Sequence, residues 1–218
     1  MRDITHYIFD MDGLLLDTEI FYTQVTQRIV SEFGKEFTWA LKARMMGRNA
    51  LESAKLLVNE LSLPISAEEY LQRRDGELSR LFPQSEFKPG AVSLLQECKK
   101  RNIGRAVATS TNRANFSLKT QRHRRVFEEY FDVVVTGDDT EIGAGKPAPD
   151  IFLLAAKRMQ VVPGACLVFE DSVSGVLAGV NAGMRVCAVP DPNLDKADFE
   201  RADLVLNSLN EFDFGSIA

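Results

Sequence analysis

Four short runs, each closed by polar or acidic residues, constrain this chain more than any other feature. They are Tyr7-Ile8-Phe9 before Asp10, Arg105-Ala106-Val107-Ala108 before Thr109-Ser110, Val133-Val134-Val135 before Thr136, and Cys166-Leu167-Val168-Phe169 before Glu170-Asp171. Runs of this length, rich in Val, Ile and Phe, suit strands buried on both faces, the condition of a parallel sheet. Helical period lies between the later ones. Ala91, Leu94, Leu95 and Cys98 share one face of 90–101; Ile151, Leu154, Ala155 and Met159 share one face of 150–159; small residues continue the pattern over 173–182. Strands alternating with helices predict right-handed βαβ units, and Met184–Val189 and Asp203–Leu206 add two strands. The predicted fold class is α/β.

The stretch from Glu19 to Leu81 breaks this alternation. It holds no convincing strand, only helical segments: Ile20–Phe33, Ala50–Leu61, and a third announced by the capping box Ser66-Ala67-Glu68-Glu69. Pro83 and the Lys88-Pro89-Gly90 turn mark the return to α/β order. The expected organisation is a core of residues 1–16 plus 86–218 and an inserted all-helical domain of residues 17–85. The insertion reads as a lid over the carboxyl ends of the strands, with hinges near Asp17–Glu19 and Pro83–Pro89.

Composition narrows the partners. With 218 residues, 45% of them hydrophobic, the chain has apolar mass for one core and a modest second domain. A net charge of −5 gives no electrostatic reason to expect nucleic acid or an anionic membrane. No apolar run approaches membrane-spanning length, and the first residues lack the apolar core of a signal peptide. We therefore expect a cytoplasmic monomer or weak homodimer, with Cys98, Cys166 and Cys187 as buried free thiols.

In an open parallel sheet, ligands bind at the carboxyl ends of the strands. The tips would bring together Asp10, Asp12, Thr109, Ser110, Lys146, Glu170 and Asp171. Carboxylates crowded in this way repel one another, and a hard divalent cation with oxygen ligands, Mg2+, removes the conflict. A cation, a lysine and a hydroxyl around an acidic nucleophile would cradle a dianionic phosphoryl group. Plainer readings stand beside this one. Thr109 and Ser110 would cap the following helix, Glu170-Asp171 would start the helix near Ser172, and Lys146 would be a solvated surface lysine.

These residues resemble a known family. Phe9-Asp10-Met11-Asp12-Gly13-Leu14-Leu15-Leu16-Asp17-Thr18-Glu19 is similar to the first motif of the haloacid dehalogenase-like (HAD) hydrolases. Val107-Ala108-Thr109-Ser110, Gly145-Lys146-Pro147, and Phe169-Glu170-Asp171-Ser172 with Gly175 follow in the family's order, and Ala144 and Ala148 are small departures beside the lysine. The resemblance implies a Rossmann-like core with an inserted C1 cap and a Mg2+-dependent phosphatase acting on a small phosphomonoester. It also implies roles. Asp10 would be the nucleophile that becomes an aspartyl-phosphate, and Asp12 the general acid and base. Thr109 would bind a phosphoryl oxygen and Lys146 would neutralise charge. Asp10, the Asp12 carbonyl, Asp171 and Glu170 would hold the metal, Glu170 directly or through water.

Asp12 argues against metal-free dehalogenase chemistry, for which the second acid is absent. The similar-looking β-phosphoglucomutases carry a histidine near position 22 and an arginine near position 50. This chain has Tyr22 and Ala50 there, with Arg48 nearby, so hydrolysis is preferred over isomerisation. A non-enzymatic phosphate-binding protein on the same fold is the remaining alternative. Within the family, Met46–Ala54, Ala108–Phe116, Lys119-Thr120 with His123, and Val189–Leu194 resemble the pseudouridine-5'-phosphatases. Glycerol-3-phosphate, FMN and deoxysugar phosphatases resemble it at a lower level. The expected substrate is pseudouridine 5'-phosphate or a similar nucleotide or sugar phosphate, with Arg48 and Asn49 as contacts to the leaving group or simply as the start of the second cap helix.

Overall fold

Strand β1 (His6–Phe9) lies inside a six-stranded sheet whose order is β3-β2-β1-β4-β5-β6, every neighbouring pair being parallel. The other strands are β2 (Gly104–Thr109), β3 (Val133–Thr136), β4 (Cys166–Glu170), β5 (Arg185–Ala188) and β6 (Leu204–Val205). The computed structural model describes residues 3–45 and 50–216. Register pairs Phe9 with Val107 on one side and with Phe169 on the other, so the tips of β1, β2 and β4 end within two residues of one another.

Alternation within the strands builds two apolar layers. Tyr7, Phe9, Val107, Leu167, Phe169 and Cys187 point to one side, where Leu94, Leu95 and Cys98 of α5 (Ala91–Lys100) meet them. Ile8, Ala106, Ala108, Val168, Val186 and Ala188 point to the other, against Ile151, Phe152 and Ala155 of α8 (Asp150–Arg158) and Val176 of α9 (Val173–Asn181). Burial on both faces is why these strands read as continuous apolar runs. The three cysteines are buried and free, and burial pushes their thiols up to about 11 for Cys166 and about 12 for Cys98 and Cys187.

The chain divides into two compact units, Met1–Asp17 with Ser85–Ala218, and Thr18–Gln84. The second unit is helical: α1 (Glu19–Ser31), α2 (Trp39–Met45), α3 (Ala50–Leu61) and α4 (Ala67–Leu81). Helix α4 packs on both α1 and α3, and a buried hydrogen bond of 2.8 Å joins Thr26 and Tyr70 hydroxyls. Ser66 caps α4 as expected, its hydroxyl accepting from the Glu69 N–H. The helix expected after Ser110 is α6 (Arg113–Thr120), for which the sequence set no bounds, while α2 and α7 (Arg124–Tyr130) went unforeseen. Each has at most eight residues, too few turns for the period to declare itself. No helix among the described residues is long and apolar enough to cross a membrane.

Candidate active site

The strand order reverses between β1 and β4, and a crevice is expected at that point outside the carboxyl ends. Asp10 follows β1 and its N–H donates to the Phe169 carbonyl of β4 at 3.0 Å, which ties the two tips together. Lys146 reaches this point from the loop after β3. Its ammonium lies 2.5 Å from Asp10 Oδ1, 2.5 Å from Glu170 Oε1 and 3.3 Å from the Ala108 carbonyl. With its side chain 6% exposed, Lys146 is far from a solvated surface lysine.

Two carboxylates share that one ammonium. Burial pushes Asp10 up to about 7; Lys146 pulls it back, and the charges of Glu170 and Asp12 add to the rise. Burial alone would lower Lys146, but Asp10 and Glu170 outweigh it and hold the ammonium above the ordinary lysine range. The lysine stays charged.

Beyond Asp10 the chain folds tightly back. Leu15 and Leu16 N–H groups donate to the Met11 carbonyl, Gly13 donates to Leu16, and Lys88 donates to Leu15. Gly13 sits at φ +77°, and a Cβ there would come 2.0 Å from an Asp171 carboxylate oxygen. Only glycine takes that conformation at low cost and lets Asp171 lie against the β1 loop.

Glu170 is fully buried, and its oxygens are engaged on every side. Oε1 meets Lys146, while Oε2 accepts from the Asp171 N–H, the Ser172 N–H and the Ser172 hydroxyl at 3.0–3.1 Å. Ser172 caps α9 by accepting from Gly175. Glu170 thus satisfies the approach to the helix and also anchors the lysine.

Asp12 points toward Thr109 and toward two residues, Lys119 and Thr111, that the sequence did not single out as site residues. Its Oδ1 accepts from Lys119 at 2.7 Å and its Oδ2 from the Thr111 hydroxyl at 2.6 Å, while Thr109 Oγ1 stands 3.5 Å away. Ser110 is exposed, and neither it nor Thr109 caps the next helix. That duty belongs to Asn112, whose side chain accepts from the Asn115 N–H. Lys119 falls on the buried face of α6 with Phe116 and Thr120.

The donor chemistry fits a divalent cation. Four carboxylates, Asp10, Asp12, Glu170 and Asp171, stand against two ammonium groups, Lys146 and Lys119, an excess of two negative charges. No three Asp, Glu, His or Cys side chains converge as a ready metal cage among the described residues. Asp10 and Asp171 with one carbonyl and water would still suffice for Mg2+, which uses one or two carboxylates.

Arg48 and Asn49 lie outside the described residues. His6 and His123 are remote from the chemistry: His123 Nε2 donates to the Ser85 carbonyl at 2.8 Å and its ring packs 4.4 Å from that of Phe87. A cavity of ≈ 480 Å3 lined by Phe116, Thr120, Phe127, Phe131 and Val134 contains none of the strand-tip residues.

A family model described as haloacid dehalogenase-like hydrolase matches residues 4–183. An Arabidopsis thaliana protein named (DL)-glycerol-3-phosphatase 2 is 51% identical over 214 residues, 96% of this chain and 89% of that one. A Drosophila melanogaster protein named probable pseudouridine-5'-phosphatase is 41% identical, over 97% of this chain and 93% of its own. A Thermotoga maritima crystal structure, assigned provisionally as a beta-phosphoglucomutase, superposes with a TM-score of 0.77 at 36% identity, covering 95% and 96% of the two chains.

Proposed function

Because the chain belongs to the haloacid dehalogenase-like hydrolase family and is a phosphatase, we propose that it hydrolyses a small phosphomonoester through a covalent phosphate on Asp10. The observation that carries this reading is the buried Asp10–Lys146 contact of 2.5 Å at the tip of β1. An Asp10 carboxylate oxygen attacks phosphorus. The new O–P bond forms as the ester P–O bond breaks, and Asp12 delivers its proton to the departing alkoxide. Asp12 then takes a proton from water, whose oxygen bonds to phosphorus as the Asp10–phosphorus bond breaks. Alcohol and inorganic phosphate leave.

Lys146 offsets charge on Asp10 throughout, and the Thr109 hydroxyl donates to a phosphoryl oxygen. Asp10, Asp171 and the Asp12 carbonyl would hold Mg2+, with Glu170 reassigned as the anchor of Lys146. Bound there, the cation supplies positive charge to the phosphoryl oxygens.

The substrate order changes from the sequence expectation. Identity of 51% to a glycerol-3-phosphatase against 41% to a pseudouridine-5'-phosphatase supports glycerol 3-phosphate first and pseudouridine 5'-phosphate second. The test measures phosphate release from both esters with and without a chelator. Release should fall about 100-fold or more in chelator and return with added Mg2+; equal rates would remove the metal from the reading. The 36% identity to a phosphoglucomutase-like structure favours a second reading, isomerisation. Loss of a sugar 1-phosphate without free phosphate would support it. One phosphate released per ester consumed would dismiss it.

The Asp10 shift sets a further expectation. Its folded value of about 7 lies above the 3.8 of a free aspartate, so its contribution to stability is full below about pH 4 and lost as pH rises through 7. Lys146 is raised too, so its contribution persists across this window and is lost only above the free-lysine range. The melting temperature of metal-free protein should therefore drop between pH 5 and pH 7.5. Mg2+ should restore more of it at the higher pH, and Asp10→Asn should flatten the profile. Parallel profiles for the two proteins would reject the assignment.

A further inference from the structure

We propose that Lys119 is a positioning residue that, with Thr111, holds the Asp12 carboxylate in the orientation needed for proton transfer. The inference rests on the general acid and base role proposed above. Lys119 is 1% exposed, so its charge has been taken out of water inside a helix face otherwise given to Phe116 and Thr120. Such burial is costly unless the charge is paired and hydrogen-bonded. The pairing here is a closed ring. Lys119 donates to Asp12 Oδ1 at 2.7 Å and to Thr111 Oγ1 at 2.9 Å, and Thr111 spends its single hydroxyl proton on Asp12 Oδ2 at 2.6 Å.

Both carboxylate oxygens are therefore gripped, from two directions. Asn112 supports the ring by capping α6, so that Lys119 enters on a helix whose start is fixed. Thr109 adds to the same side, its Oγ1 accepting from the Thr111 N–H at 3.1 Å. A group that must give up a proton in one half-reaction and take one in the next needs its geometry held within a few tenths of an ångström. A free aspartate on a loop would wander. Neither Lys119 nor Thr111 needs to touch substrate in this account.

The experiment separates the two half-reactions. Para-nitrophenolate departs without a proton, so release in the first turnover should be nearly independent of Asp12 positioning, whereas hydrolysis of the covalent phosphate and departure of an alkyl alkoxide should not. In Lys119→Met, first-turnover nitrophenolate release should stay within about 3-fold of wild type. Steady-state turnover of that ester and of glycerol 3-phosphate should fall about 10- to 100-fold, part of what a general acid supplies. Thr111→Val should give the same pattern more weakly, and it carries the test if Lys119→Met fails to fold. A parallel fall in first-turnover and steady-state rates, unchanged rates, or faster turnover would each overturn the proposal. First-turnover release that persists in Asp10→Asn would defeat the underlying mechanism, and the proposal with it.

Discussion

Replacing Lys146 by methionine should remove both activity and a large part of the stability, whereas Asp10→Asn should remove activity alone. The contrast follows from charge balance in a buried space. Lys146 serves Asp10 and Glu170 together, and both acids are nearly or fully inaccessible to water. Methionine fills similar volume but leaves two carboxylates without a cation, a loss of about 3–5 kcal/mol for a broken buried ion pair. Asparagine at position 10 leaves one ammonium facing one carboxylate, and stability should hold or rise. Turnover should fall about 1000-fold or more in both variants, since one removes the nucleophile and the other its neutralising charge. Denaturant unfolding and phosphate release on the same samples check this. A second change sharpens it: Lys146→Met with Glu170→Gln should recover stability without recovering turnover. If Lys146→Met unfolds at the wild-type midpoint, the buried lysine does not carry the core as argued.

The sheet was legible because a strand buried on both faces must be written as an uninterrupted apolar run, and its end must be polar where the chain leaves the core. Phe9 before Asp10 and Phe169 before Glu170 carry that signature in adjacent letters. Parallel pairing then aligns the tips, so that residues 136 positions apart could be expected together. Thr111 and Lys119 were not legible for the opposite reason. Their meaning depends on how far α6 turns after Asn112, which no local pattern states. A lysine among Phe116 and Thr120 reads equally well as an alkyl stem covering a helix edge with its charge in water. Glu170 was half legible: its place beside Asp171 suggested a ligand, but only the fold reveals that Lys146, Ser172 and two backbone N–H groups already claim its oxygens.

Gly175→Ala offers the other large effect, and its sign runs against helix propensity. Within a helix such a change ordinarily stabilises by about 0.5–1 kcal/mol. Gly76, exposed in α4 with nothing within 4 Å of an added Cβ, should behave in that way. At Gly175 the added Cβ would stand 1.9 Å from Glu170 Cδ and Oε1 and 2.2 Å from Oε2. The carboxylate is the end of a side chain, yet it cannot swing aside without surrendering Lys146 and the start of α9. The methyl must therefore either displace α9 from β4 or break the ion pair. Overpacking costs about 1–3 kcal/mol by itself, and loss of the pair adds to it. Gly175→Ala should lower the melting temperature by about 6–12 °C, the equivalent of roughly 3 kcal/mol in a chain of this size. Turnover below the transition should fall as well, because the anchor of Lys146 has moved. Shortening the acid should relieve the clash, so Gly175→Ala combined with Glu170→Asp should melt higher than Gly175→Ala alone. If the single variant melts at or above wild type, as Gly76→Ala should, then Glu170 does not fill the space that glycine leaves open.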